Sequence, residues 1–457
     1  MFLGWRSPRP LRNLRLAVTI PPRHWFGGID YRFAVDMARE LRRMGAAILE
    51  IDVSVFDERD PRRIRNCVAA VRSFRPDVAV ALPNAGYAIA CKTPAGDNLF
   101  RDVLELSTIL IWDHGVLQFA PALLDPLPAA PAQSIDGCLR RLRNQLDHPV
   151  WVHYSPDRGH IAVMDSLCIL AGHNVRDFVQ PAWPAYVRQA ERAATRSGST
   201  LAFAGNVYLD SAQHLEFRKQ PFLAGIEARM LASKRANLAA PFWQLLAAEL
   251  DSLPSVDRAA FHLHPDASFF WTFVHGEIEA VGTTEARLHA LSALRRPCDF
   301  FGNLVEPHMT PQLEARGLRF RGSLDCVADL PSLYQNTDLL IDVVHPGYIS
   351  GTSPKITACF AAGGTVLFDY KDDFRLALGD LADAVMYRSI DEMNSLVETY
   401  LADPHKKQAV ARELQQRVLR DFSFAALWER ILITEPVWRE SRHSLVARPA
   451  TAVPTAH

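Results

Sequence analysis

Short apolar runs rich in Val, Ile, Leu and Phe recur along the chain, each closed by a polar or glycine-bearing corner. Six lie in the first half: LRLAVTI (14–20), AAILEIDV (46–53), PDVAVALP (76–83), STILIWDHG (107–115), PVWVHYS (149–155) and NVRDFVQPAW (174–183). Six more follow: LAFAGN (201–206), CDFFGN (298–303), LRFRGSL (318–324), DLLIDVV (338–344), TVLFDY (365–370) and AVMYRS (384–389). Runs of this length with little polar alternation read as strands buried on both faces. Between them the apolar period lengthens to that of a helix. From Asp30 to Met44, Phe33, Met37, Leu41 and Met44 fall on one face and Arg39, Glu40, Arg42 and Arg43 on the other, and Gly45 stands where a C-terminal cap belongs. PRRIRNCVAAVRSF (61–74), ADLPSLYQNT (328–337), PHKKQAVARELQQRVLRDF (404–422) and SFAALWERIL (423–432) read as further helices, and Ser389 with Glu392 as a capping box.

Strands alternating with helices predict an α/β protein with parallel, doubly wound sheets. The alternation breaks twice. QPAWPAYVRQAERAATRSGST (180–200) is polar and proline-bearing and is expected to link two domains, and a mostly helical stretch runs from Leu215 to Ala293. The pattern gives an N-terminal Rossmann-like domain over residues 10–182 and a C-terminal one over 200–422, with a helical insert at 213–293. The tail, 440–457, is rich in Ala, Pro and Ser and is expected to be disordered. In such sheets ligands sit outside the carboxyl ends of the strands, so a cleft between the domains is the expected site.

Composition changes the picture mainly by exclusion. A net charge of −1 over 457 residues gives no global attraction to nucleic acid. Arginine clusters at 6–15, 62–65 and 140–143 read as solvated faces, with peripheral contact to anionic lipid as the sharper alternative. The seven cysteines are scattered without a C-x-x-C pair, as reduced structural thiols are. No apolar run reaches the roughly 18–20 residues of a membrane span, so a cytoplasmic protein is expected.

The chemistry concentrates in HPGYISGTSPKITACFAAGG (345–364). Ser353 is a good N-cap and Pro354 suits the first helical position, so the turn that follows presents free backbone N–H groups. Gly347 and Gly351 allow close backbone approach, Tyr348, Ser350 and Thr352 bring hydroxyls, and Lys355 adds a cation. Together they form a candidate cradle for a phosphate or diphosphate. Taken alone, the stretch is equally what begins any short helix.

The order of elements sharpens this. The run from LAFAGN through SPKITACFAAGGTVLFDYKDDF to YRSIDEMNSLVETYLADPHKKQAVARELQQRVLRDFSF resembles the C-terminal domain of GT-B glycosyltransferases. Within them it is most similar to the group-1 (family 4-like) transferases and the spore-maturation CgeB-like proteins. The family pattern R-x-F-E-A-x-A-C-G-G falls on Lys355 to Gly364. GGIDYRFAVDMARELRRMGAAILEIDV looks like the first loop–helix–strand of such enzymes, and ILIWDHG like the strand that faces their cleft. The resemblance implies two Rossmann-like parallel-sheet domains facing across a cleft, with a last helix, 423–439, crossing back to the first domain. It implies transfer of a sugar from a nucleotide-sugar donor to a glycan, glycolipid or protein acceptor, without a metal or other cofactor and with retention of configuration. One feature of the family is missing: the paired glutamates of E-x7-E fall on Ile349 and Thr357. That keeps a non-catalytic assembly or binding protein in play, and a sugar-nucleotide epimerase as a third reading.

Candidate donor residues are Gly27, Gly28, Gly205, Asn206, Gly302, Asn303, Tyr348, Gly351, Thr352, Ser353, Lys355 and Thr357. Asp113 and His114, at the end of a strand, are the candidate catalytic pair. Each of these also has an ordinary reading as a turn, cap or surface residue. His262 and His264 resemble metal ligands but lack a second cluster, and no metal site is expected. Trp428 reads as core.

Overall fold

The computed structural model describes residues 10–439 apart from 25–28, 83, 113–134, 167–168, 171–174, 191–199, 208–220, 255–281, 303–309, 326–327 and 346. Each of the twelve apolar runs forms a strand. In the first half these are β1 (Arg15–Ile20), β2 (Ala47–Asp52), β3 (Val78–Ala81), β4 (Thr108–Ile111), β5 (Trp151–Ser155) and β6 (Val175–Asp177). In the second they are β7 (Leu201–Ala204), β8 (Cys298–Phe301), β9 (Leu318–Gly322), β10 (Leu339–Asp342), β11 (Val366–Asp369) and β12 (Met386–Tyr387). The sheets run β2-β1-β3-β4-β5-β6 and β12-β11-β10-β7-β8-β9, and every named pair is parallel. β3, β4, β5, β10 and β11 are buried along their whole length, which is why they read as unbroken apolar runs. Two Rossmann-like sheets thus face each other across a cleft, the GT-B arrangement. The strand order turns back at β1/β3 in the first sheet and at β7/β10 in the second. The crevice beyond such a reversal is where ligands of open α/β sheets sit.

The α-helices of six or more residues among those described are α1 (Ile29–Arg43), α2 (Pro61–Phe74), α3 (Ile135–Leu146), α4 (Arg158–Ser166), α5 (Pro184–Ala190), α6 (Pro221–Ala236), α7 (Phe242–Ser252), α8 (Thr283–Ser292), α9 (Leu330–Asn336), α10 (Pro354–Ala361), α11 (Asp372–Leu378), α12 (Ile390–Ala402), α13 (Pro404–Asp421) and α14 (Phe424–Glu429). Ser389 caps α12, its hydroxyl accepting from the Glu392 amide at 3.2 Å.

The stretch expected to link the two domains includes a helix. α5 lies inside it, with Trp183 and Tyr186 buried against Phe33. Arg188 of α5 pairs with both Asp36 and Glu40 of α1. This corrects the sequence-based placement of Glu40 on the solvent face of α1. The guanidinium from α5 covers that face, and Glu40 and Asp36 are buried. Burial pushes the Asp36 carboxyl up, with Arg188 pulling the other way.

After α13 the chain returns to the first lobe. The Ala182 amide donates to the Phe422 carbonyl at 3.1 Å. Phe424, Leu427 and Trp428 of α14 pack with Met37, Leu82, Ile111, Phe178 and Trp183 around a small apolar cavity. One continuous apolar cluster therefore runs from β1 of one lobe to β11 of the other.

Candidate functional site

The double glycine behind α10 has a packing reason. Gly363 takes φ +81°, the Gly364 amide donates to the Cys359 carbonyl at 3.0 Å, and the Gly363 amide donates to that of Phe360 at 2.9 Å. These are the two bonds of a Schellman ending. A Cβ at Gly364 would stand 2.6 Å from the Tyr334 carbonyl oxygen of α9. The helix is short because it is clamped between that neighbour and α13, where Gln415 Nε2 donates to the Ala361 carbonyl at 3.0 Å.

The other end of α10 lies at the seam between the lobes, beside the β7/β10 reversal. Ser353 has the extended backbone of an N-cap, φ −74° and ψ 154°, but its side chain makes no capping bond. Ser353 is 7% exposed and Thr352 3%, and neither Oγ of Ser353 nor Oγ1 of Thr352 has a hydrogen-bond partner among the described residues. Buried hydroxyls left this way are uncommon and call for an occupant.

Lys355 reaches from the first turn of α10 into the reversal itself. Its Nζ donates to the Ala204 carbonyl at 2.9 Å and to Asp342 Oδ1 at 3.1 Å, 5.9 Å from the centre of the Phe203 ring. Burial lowers its pKa, with Asp342 opposing that and Arg287 adding to it. Arg287, on α8, donates from Nε to the Val343 carbonyl at 3.2 Å and from Nη1 to the Asn206 carbonyl at 2.6 Å. It thus ties the end of β7 to that of β10.

One strand further, Asp369 ends β11. Its Oδ1 accepts from the Val344 amide at 2.6 Å, and Lys371 Nζ lies 3.4 Å from Oδ2 while donating to the Tyr348 carbonyl at 3.0 Å. Lys234, buried on α6, donates to the carbonyls of Leu238 and Ala240. Burial lowers its pKa to about 8, Asp369 pulling upward and Lys371 downward. Among these groups Arg287, Lys355, Lys371 and Lys234 outnumber Asp342 and Asp369, a local surplus of positive charge that an anion would offset.

The first lobe contributes the loop after β5. Asp157, wholly buried, accepts at its carboxylate from the amides of Ile349 (2.6 Å), Ser350 (3.1 Å) and its own lobe's His160 (3.1 Å), and from Ser350 Oγ (2.9 Å). Gly351 lies close beside them, its would-be Cβ 3.1 Å from Asp157 Cβ. Burial alone would raise the Asp157 carboxyl; His160 and these donors outweigh it and hold the pKa below the ordinary value. His160 Nε2 donates to the Gly347 carbonyl. On α11, Asp373 Oδ2 accepts from the Arg158 amide at 2.8 Å and lies 2.8 Å from Ser350 Oγ, whose single proton goes to Asp373 or to Asp157 but not to both at once. On the far side of the seam, Arg32 meets Asp325 at 3.2 Å.

Among the residues singled out from sequence, Gly205, Asn206, Tyr348, Gly351, Thr352, Ser353 and Lys355 come together at this reversal and seam. Gly302 lies beside them. A Cβ there would stand 1.9 Å from the Gly205 carbonyl oxygen, so its glycine serves the contact between the ends of β7 and β8. Thr357 is fully buried, and its hydroxyl donates to the Pro354 carbonyl at 3.2 Å inside the helix. The Ile349 side chain packs on Gly159. Gly27, Gly28, Asn303, Asp113, His114, His262 and His264 lie outside the described residues.

Sequence reasoning did not single out Asp157, His160, Arg287, Lys371 or Lys234. A buried lysine on an apolar helix and an Asp two residues past a strand were the available signals. Among the described residues, no group of three His, Cys, Asp or Glu side chains is placed to hold a metal, and no helix is long and apolar enough to cross a membrane.

Comparison with known proteins bears on the second lobe. Residues 285–433 match the family model described as glycosyl transferase-like. That segment spans β8 to β12, α10 and Lys355 and covers under half of the chain. No curated protein matches. Among solved structures, HepE of Anabaena in complex with UDP superposes with a TM-score of 0.49 at 10% identity, over 93% of this chain and 100% of that one. Sucrose-phosphate synthase of Thermosynechococcus elongatus gives 0.49 at 9% identity, over 94% and 100%. The α,α-trehalose 6-phosphate synthase of Burkholderia multivorans gives 0.43 at 12%, over 97% and 100%. At such scores the description of the fold stands on the strand orders themselves.

Proposed function

We propose that the protein is a glycosyltransferase whose second lobe holds a nucleotide-sugar donor and whose first lobe holds a glycan, glycolipid or protein acceptor. The observation that carries this is the pair of unpartnered hydroxyls, Thr352 and Ser353, at the amide end of α10, next to Lys355 at the β7/β10 reversal. In the reaction the bond from the anomeric carbon to the donor phosphate oxygen breaks. The acceptor hydroxyl forms the new glycosidic bond and gives up its proton, and a nucleoside diphosphate leaves. Fixed N–H groups and a lysine aimed at the leaving diphosphate supply electrostatic stabilisation where charge develops. Asp113 and His114 are proposed to face the acceptor. The motif likeness to group-1 and CgeB-like transferases supports donor binding in the second lobe and retention of configuration.

A second reading is favoured by two observations. The positions of the family glutamates hold Ile349 and Thr357, whose side chains are committed to packing and to an internal hydrogen bond. An assembly or binding protein on the same scaffold would tolerate both. A thermal-shift screen against UDP-, GDP-, ADP-, CMP- and dTDP-sugars, followed by an assay for release of nucleoside diphosphate from the best ligand, separates the two. Binding with slow donor hydrolysis supports the transferase. Binding without turnover under any acceptor supports the second reading, and no shift with any nucleotide overturns the donor site itself.

A further inference from the structure

The lobes meet at a place built for an anion, and the chain fills it with its own carboxylate. Two successive amides, those of Ile349 and Ser350, converge on Asp157 of the other lobe, with the Ser350 hydroxyl as a third donor from that side. Consecutive N–H groups pointing into one concavity form a nest that binds anionic oxygen. We propose that Asp157 is an interlobe latch: seated in this nest, it positions the loop that leads into α10 and holds the two lobes together.

The fit on both sides supports a built contact. A Cβ at Gly351 would stand 2.2 Å from the Pro156 carbonyl oxygen, and one at Gly159 would stand 2.3 Å from Ile349 Cγ2. Each lobe thus presents a glycine where the other comes closest, and neither glycine has a positive φ to account for it. Two further amides of the seam find partners across it. The Gly159 amide donates to Ser350 Oγ at 2.8 Å, and the Arg158 amide reaches Asp373. Asp157 itself is fully buried with its oxygens satisfied, an arrangement that tolerates removal of the carboxylate poorly. The latch also divides the loop. The amides of Ile349 and Ser350 are occupied by Asp157, so an anionic ligand at α10 is left with the hydroxyls of Thr352 and Ser353 and the first turn of the helix.

Hydrogen exchange and small-angle scattering on the Asp157→Ala protein test this without any nucleotide sugar, so failure of the proposed reaction leaves the test intact. Exchange at the amides of Ile349 and Ser350 should quicken roughly tenfold or more, and the radius of gyration should rise, while peptides from β10 and β11 keep their protection. Sodium formate, a carboxylate small enough to refill the nest, should restore the slow exchange where equal sodium chloride does not. Wild-type exchange and radius in Asp157→Ala, or formate acting no better than chloride, would overturn the latch. Should Asp157→Ala fail to fold, Gly351→Ala separates the backbones with the carboxylate intact. It should show the same faster exchange and larger radius, and wild-type values there would equally overturn the proposal.

Discussion

Replacing Lys355 by methionine removes the cation at the β7/β10 reversal and keeps most of the side-chain volume. The structure fixes what is lost. Among the described residues Asp342, its side chain 6% exposed, would be left with no cation in contact, and its Oδ2 makes no hydrogen bond to them even now. Stripping one member from a buried ion pair costs about 3–5 kcal/mol. The Lys355 side chain is 28% exposed, so water relieves part of this, and the low end, about 3 kcal/mol, is expected. Binding is affected separately. A charge-assisted hydrogen bond to phosphate contributes about 1.5–3 kcal/mol, so the dissociation constant of a nucleoside diphosphate should rise roughly 10- to 100-fold. Adding Asp342→Asn relieves the orphaned carboxylate, and the double variant should regain most of the stability and none of the affinity. Denaturant melts and titration calorimetry, with whichever nucleoside diphosphate the wild type binds, read the two effects independently. Affinity within about twofold of wild type in Lys355→Met would remove the lysine from the anion site and refute the reasoning.

Two further outcomes follow from the same geometry. An N-cap serine replaced by alanine usually costs about 1 kcal/mol. Ser353 makes no cap bond, so Ser353→Ala should change stability by no more than about 0.5 kcal/mol yet weaken the thermal shift given by pyrophosphate; a full capping loss with an unchanged shift would contradict this. Lys234 carries a pKa lowered to about 8 from 10.5, so the folded chain releases this proton before the unfolded chain does. Below pH 8 both states hold it and the burden of the buried charge is fully present. Between about pH 8 and 10 stability should rise by about 1.4 kcal/mol per unit from this group. Melting temperature against pH should lose that slope in Lys234→Met, and parallel curves would show that the lysine is not titrating.

The strands were legible because a parallel sheet covered on both faces demands continuous apolar residues, and VAVA (78–81), TILI (108–111) and VLFD (366–369) satisfy that locally. The start and stop of α10 were legible for the same local reason: Ser353-Pro354 suits the opening of a helix and not its interior, and Gly363-Gly364 can close one with a left-handed residue. The helix inside the supposed linker was not. Its signal, Trp183 and Tyr186, has meaning only against Phe33, some 150 positions earlier.

By itself, then, the sequence determined the α/β class, the twelve strands and the amide end at Ser353, because each depends on side chains within a turn or two along the chain. The tertiary structure alone decided the two strand orders, the meeting of Lys355 with Ala204 and Asp342, and the seating of Asp157 on the amides of Ile349 and Ser350. Those depend on which buried charges find partners across the fold. A chain cannot signal that locally, since an Asp two residues past a strand looks the same whether it faces water or another lobe.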